Sequence, residues 1–299
     1  MNEQPQDNME LLSERRSLDR FADYIDWRRN QLEWWIRSNV KSEKYPRPIV
    51  VLTTSRSGST WLCEVASQAL RVGRIPEHLR PRHLQLANRV SDAELMLVSL
   101  ISKVKAHIAS GRSGGTKIIW DDIPGIHALQ SVDKLVSWLS PLNEINPLWI
   151  RLVRQDRGAQ AVSRYRAAQT GIYHRFEGQS LFAKRQVGSS HAPKKNPPLQ
   201  YDFEAIHRHY LQLTSAEEQL TSVIADLPWP VHTILYEEAV QPPYSAISQA
   251  IATAAGISRD LASARIDRIQ QGMHLAMTRS DGSQRMAQQF NADLTERSR

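Results

Sequence analysis

The chain has 299 residues, 41% of them apolar and 23% charged, which is enough for one large α/β domain or two modest ones with a real core. No stretch approaches 18 consecutive apolar residues and the first twenty residues carry no apolar signal-like run, so the sequence predicts neither a spanning helix nor a secretory leader. Cys63 has no cysteine to pair with, so we expect a cytoplasmic protein; a net charge of +7 suits an anionic partner, whether a nucleotide, a phosphorylated ligand, nucleic acid or an acidic membrane surface.

Residues 1–15 read as frayed, and Leu18, Phe21, Ile25, Leu32, Trp35 and Ile36 mark an amphipathic helix over 18–42. Residues 1–45 are thus a terminal segment with a helical extension, ahead of a domain over 46–299. Ile49-Val-Val-Leu52 is a continuous, mostly β-branched run of the kind buried in a parallel sheet. The small polar loop Thr54-Ser-Arg-Ser-Gly-Ser-Thr60 follows, then a helix over 61–70. Gly115–Trp120 reads as a second strand closed by Asp121 and Asp122, with a helix expected over 126–140. Leu148–Val153 is a third strand; Arg154 and a helix to about Thr170 come next. The stretch 185–199 carries neither signal and is a candidate lid. A long helix is expected from Asp202 to Ala225, a fourth strand over Val231–Tyr236, a helix over Ser245–Ala255 stopped by Gly256, and a mostly helical tail. Strands alternating with helices predict an α/β fold: a P-loop-like, mainly parallel sheet with helices on both faces, in a single domain.

The first strand, loop and helix make a phosphate-binding unit. A helix N-terminus presents unpaired N–H groups and the positive end of its dipole. Gly58 lets the backbone approach a ligand, Ser57, Ser59 and Thr60 add hydroxyls, and Arg56 adds a fixed charge. The G-x-x-x-x-G-K-[ST] loop of ATPases needs a lysine where this chain has Ser59, and its first glycine is missing, which counts against an NTPase. The basic pairs Lys184-Arg185 and Lys194-Lys195 are too scattered to predict a nucleic-acid partner.

Arg56-Ser-Gly-Ser-Thr-Trp61 resembles the 5′-phosphosulfate loop of sulfotransferases that use 3′-phosphoadenosine-5′-phosphosulfate (PAPS). The blocks RSGSTWLCE, GTKIIWDDIP, RQDRGAQAVSRYRAAQTGIY, ILYEEAVQPP and TRSDGSQR, in that order over about 47–285, resemble the bacterial trehalose 2-sulfotransferase family. That resemblance implies an enzyme moving a sulfuryl group from PAPS to a small acceptor, with adenosine 3′,5′-bisphosphate as product, no metal, and a possible homodimer. It implies that Arg154 and Ser163 bind the 3′-phosphate and that Arg279 and Ser280 reach the nucleotide. Taken singly, Arg154 could instead pair with Asp156 and Ser163 be an ordinary helix serine. A glutamate base is implied shortly after the first helix; counting without gaps gives Glu77, with neighbouring His78 the alternative. Trp120, Asp121 and Asp122 would help shape the acceptor site, for sugar hydroxyls or for a cationic group, unless the two aspartates merely cap the next helix. A P-loop kinase or an inactive nucleotide binder remains the alternative of another class.

Overall fold

The computed structural model describes residues 46–77, 104–108, 110, 113–123, 132–170, 200–272 and 281–298. The expected N-terminal helix, His78, the candidate lid, Arg279 and Ser280 lie outside the described residues.

Four parallel strands form one sheet in the order β2-β1-β3-β4: β1 (Ile49–Thr53), β2 (Gly115–Ile119), β3 (Leu148–Val153) and β4 (Val231–Leu235). β1 is buried along its whole length because it is central and covered on both sides. Its side chains alternate: Ile49 and Val51 enter a cluster with Leu62, Val65, Ile251 and Ile266, whereas Val50 and Leu52 enter another with Leu142, Ala216 and Leu220. A strand packed on both faces has no polar face to show, which is why the run reads as uninterrupted apolar sequence. Each fully buried Val, Ile or Leu contributes roughly 1.5–3 kcal/mol relative to exposure.

α1 (Ser59–Leu70), α6 (Ser245–Ala255) and α7 (Arg259–Gly272) cover the first face; α2 (Val132–Asn143) and α4 (Phe203–Ala225) cover the second. α3 (Arg157–Thr170) and α8 (Asp281–Arg297) pack with α4 in a third cluster around Ala161, Tyr165, Phe203, Ile206 and Phe290. The architecture is therefore a single α/β domain with helices on both faces of a parallel sheet, as the strand–helix alternation predicts.

Boundaries follow local chemistry. Asp202 caps α4 by accepting from Ala205 N–H at 3.0 Å. Gly256, at φ 64°, ends α6 in the left-handed conformation. Two expected strands run one residue too long. Trp120 leaves β2 for a single 3₁₀ turn, Trp120–Asp122, and Tyr236 opens the short α5 (Tyr236–Ala239) instead of closing β4. Both aromatic residues favour strands, and their tertiary packing overrides that preference. α2 is found over 132–143, with 126–131 outside the described residues.

Candidate active site

In the strand order, β1 connects onward to β2 on one side, and β3 lies on the other. The chain therefore switches direction at β1, and the crevice beyond the carboxyl ends of the strands opens there. The loop 54–58 leaves β1 at this point, and Arg154 leaves β3 beside it.

The loop is tied down from several elements. Thr53 Oγ1 donates to Leu152 O at 2.8 Å and lies 2.5 Å from Ser57 Oγ, so the fully buried Ser57 hydroxyl is engaged inside the loop. Thr54 Oγ1 donates to Glu217 Oε2 at 3.1 Å. Glu217 in turn accepts from Arg151 Nη2 at 2.8 Å and faces Arg157 Nη1 at 3.6 Å. A buried carboxylate between two guanidinium groups keeps both cations compensated; removing such a partner costs about 3–5 kcal/mol. Gln160 is 0% exposed, and its Nε2 donates to Ser55 O at 2.6 Å and to Thr54 Oγ1 at 3.0 Å. Ser55 N–H and Oγ both donate to the Asp121 carboxylate at 2.6 Å, and Arg164 Nη1 adds a salt bridge at 2.9 Å. Among the described residues, the two Asp121 oxygens hold the loop.

Arg56 and Gly58 both adopt positive φ, 62° and 91°, which turns the loop tightly into the first turn of α1. A Cβ on Gly58 would lie 2.2 Å from Tyr236 Cε2, so this position has no room for a side chain. Ser59 is buried, while Arg56, Gly58 and Thr60 keep part of their surface. Arg56 Nε donates to Ser163 Oγ at 3.1 Å, and Arg154 Nη1 donates to Arg56 O at 3.1 Å. Arg154 is 8% exposed, with its guanidinium 5.2 Å from the Tyr236 ring centroid. Asp156 is occupied otherwise, accepting from Ala159 N–H at 2.9 Å as α3 begins. The structure therefore brings Arg56, Arg154 and Ser163 into one contiguous patch.

One face of α3 delivers much of this. Gln160, Ser163 and Arg164 stand at i, i+3 and i+4, so they share one side of the helix and meet Ser55, Arg56 and Asp121 respectively. The neighbouring face, Ala161, Val162 and Tyr165, goes into the core.

On the other side of β1, residues 73–77 run along the outer edge of β2. Gly114 N–H donates to Gly73 O, Lys117 N–H to Pro76 O at 3.0 Å, and Glu77 bridges Lys117 in parallel register. Glu77 is consequently held against the sheet, its side chain only 12% exposed, rather than solvated in a loop. Lys117 Nζ donates to Thr60 Oγ1 at 3.1 Å and lies 3.9 Å from Glu77 Oε2. Asp122 belongs to the same group: burial, then the charges of Asp121 and Glu77, push its carboxyl up to about 6. Trp120 is 3% exposed and packs with Val50, Leu52 and Ile118, backing the site from within the core. Burial pushes the Cys63 thiol up to about 12, which keeps it protonated and a poor nucleophile.

Lys117, Gln160 and Arg164 are absent from the residues singled out by sequence reasoning. Lys117 carried a usable signal, a charge inside the apolar run Gly115–Trp120, since lysine is almost never buried without a partner. Gln160 and Arg164 carried none beyond their spacing from Ser163. Among the described residues no group of three or more His, Cys, Asp and Glu side chains could hold a metal ion, and no helix is long and apolar enough to cross a membrane.

Among curated proteins, none is significantly similar in sequence. Similar solved structures include a sulfotransferase domain from the curacin biosynthetic pathway, 15% identical, covering 83% of this chain and 99% of that one with a TM-score of 0.34. Another is a protein of Chloroflexus aurantiacus provisionally described as a kinase, 15% identical, covering 76% of this chain and all of that one with a TM-score of 0.30. Neither likeness is close enough to carry an argument about the site. The family match is more extensive: residues 48–282, from the first strand to the start of the last helix, match Stf0 sulphotransferase. The chain belongs to the Stf0 sulphotransferase family, and its chemistry is sulfuryl transfer.

Proposed function

We propose that the chain transfers the sulfuryl group of PAPS to a hydroxyl or amine of a small acceptor and releases adenosine 3′,5′-bisphosphate. The observation that carries this is the direct contact between the two anion grips: Arg56 Nε on Ser163 Oγ and Arg154 on the Arg56 carbonyl, both 3.1 Å. A PAPS ribose bears a phosphate on its 3′ carbon and a phosphosulfate on its 5′ carbon, with only C4′ between them, and two adjoining cationic patches suit such a ligand. The free N–H groups opening α1, with Arg56, Ser59 and Thr60, would receive the 5′-phosphosulfate; Arg154 and Ser163 would receive the 3′-phosphate.

Sulfuryl transfer asks the protein mainly to align reactants and stabilise charge. As the bond between sulfur and the bridging oxygen breaks, the electron pair stays on the 5′-phosphate, where Arg56 and the helix N-terminus are placed to stabilise it. The acceptor oxygen bonds to sulfur and gives up its proton. Glu77 is our choice of base: it is held against β2, and Lys117, which donates to Thr60, faces it from 3.9 Å. His78 is the alternative base, and Arg279 and Ser280 would complete the nucleotide contacts.

A carbohydrate or glycolipid-like acceptor follows from the likeness to trehalose 2-sulfotransferases. A cationic acceptor is the second reading, favoured by Asp122 and Glu77 lying close enough to raise the Asp122 carboxyl.

Thermal-shift titration with adenosine 3′,5′-bisphosphate, and with ATP plus magnesium, tests the nucleotide. The bisphosphate should stabilise the wild type and fail to stabilise Arg154→Met, while ATP gives little effect. Stabilisation by ATP and magnesium alone would replace this reading with a kinase. Turnover of labelled PAPS on a panel of disaccharides, glycolipid headgroups and amines then tests the base. Glu77→Gln should lose at least 10²-fold in kcat, and equal turnover would remove Glu77 from that role.

A further inference from the structure

Glu217 stands on α4 with its side chain only 10% exposed, yet it reaches β3, α3 and the loop after β1. Its Oε1 accepts from Arg151 Nη2 at 2.8 Å, and its Oε2 accepts from Thr54 Oγ1 at 3.1 Å. Arg157 Nη1, at the start of α3, lies 3.6 Å from the same Oε2 and donates to Gln160 Oε1 at 2.5 Å. Gln160 Nε2 then donates back to Thr54 Oγ1 at 3.0 Å. Thr54, Glu217, Arg157 and Gln160 thus close a ring, with Arg151 attached to it. Stability does not account for such a ring, because apolar residues of similar volume in place of buried ion pairs are often neutral or stabilising. A satisfied polar network holds its members in one arrangement, and these members are the roots of both anion grips. Arg56 follows Thr54 by two residues, Arg154 follows Arg151 by three, and Ser163 follows Gln160 by three on the same helix.

We propose that Glu217 is a positioning residue for the nucleotide: it sets the spacing between the two anion grips, so that a ligand carrying both anions is preferred over ligands carrying either one. Its action is indirect. It works through Thr54 on Arg56, through Arg151 on Arg154, and through Arg157 and Gln160 on Ser163. When two groups of one ligand occupy two subsites, the second binding event is intramolecular, and its advantage disappears if the spacing is wrong. Each subsite survives a slackened ring, since Arg56, Arg154 and Ser163 are all retained. Their simultaneous fit to one ribose does not. This inference rests on the PAPS reading above.

Calorimetry on the full chain compares three nucleotides: adenosine 3′,5′-bisphosphate, adenosine 5′-phosphate and adenosine 3′-phosphate. The wild type should bind the bisphosphate at least about tenfold more tightly than either monophosphate. Glu217→Gln keeps the shape and removes the charge that holds Arg151 and Arg157. It should bind the bisphosphate at least about tenfold more weakly than wild type, and each monophosphate within about threefold. Thr54→Val opens the ring without leaving a charge unpaired, and serves if the glutamine variant does not fold; it should show the same selective loss. The double variant should lose little beyond the larger single loss, because both changes open one ring. A merely structural glutamate would weaken all three nucleotides alike, and that result overturns the proposal. So does unchanged bisphosphate affinity in Thr54→Val. If the wild type shows no preference for the bisphosphate over the monophosphates, the PAPS reading fails and takes this inference with it.

Discussion

Gly58→Ala is the substitution whose effect the structure constrains most tightly. The new methyl carbon meets two penalties. The backbone at φ 91° lies in the region that L-residues avoid, at a cost of roughly 1–2 kcal/mol. Its Cβ would also fall 2.2 Å from Tyr236 Cε2 and 2.3 Å from Cδ2. That ring is buried against the first core cluster, with the Arg154 guanidinium 5.2 Å from its centre, so it cannot swing away freely. Overpacking of this kind costs about 1–3 kcal/mol. The two together come to roughly 2–5 kcal/mol, or about 5–15 °C in Tm for a domain of this size. Displacing Tyr236 also displaces Arg154, so affinity for adenosine 3′,5′-bisphosphate should fall along with stability. Calorimetric melting and bisphosphate titration of Gly58→Ala, Tyr236→Leu and the double variant form a cycle. Because leucine removes the ring edge, the double variant should be more stable than the two single losses would sum to, while the backbone penalty remains. A Gly58→Ala protein that melts within 1 °C of wild type, or strictly additive losses, would refute the account of why glycine stands here.

Two further predictions concern the aspartates. Asp121→Asn removes an acceptor from Ser55 and the charge opposite Arg164; we expect a loss of about 1–3 kcal/mol in stability and faster amide exchange at Ser55, read by hydrogen-exchange mass spectrometry. Unchanged exchange at Ser55 would mean the carboxylate does not secure the loop. For Asp122, burial and the nearby Asp121 and Glu77 charges raise the carboxyl to about 6, against the partial relief of Arg164 and Lys117. The folded chain therefore holds this proton more tightly than the unfolded one, so its contribution makes stability fall as pH rises from about 4 to about 6, and stay lower above. Asp122→Asn lacks that penalty, at most about 3 kcal/mol, and should gain Tm over wild type through that window and hold the gain at pH 8. Parallel melting curves across pH would contradict the assignment.

The sheet was legible because strands buried on both faces must be apolar throughout. Ile49–Thr53 and Leu148–Val153 announce themselves by composition alone, and Gly256 and Asp202 mark helix ends by known local chemistry. The loop was legible for a related reason: a run of Ser, Gly and Thr between a strand and a helix has few other uses. Partnerships between distant positions were not legible. Asp121 meets Ser55 across 66 residues and Gln160 meets Ser55 across 105, and neither side chain signals its partner in sequence. Hence Asp121 read either as an acceptor-site acid or as a helix cap, and its engagement by Ser55 was not foreseen. Lys117 was visible as an oddity within its strand, but its meaning depended on Thr60 and Glu77 arriving from separate segments.

The shared face of α3 has a consequence for how this gene can vary. An α-helix advances about 100° per residue, so one residue inserted between Arg157 and Gln160 would rotate Gln160, Ser163 and Arg164 off their partners at a single stroke. Point changes at these three positions can be tolerated or compensated one at a time, whereas a one-codon length change there cannot. Natural length variation should accordingly be excluded from the helical stretch between Arg157 and Arg164, even where residue identities drift.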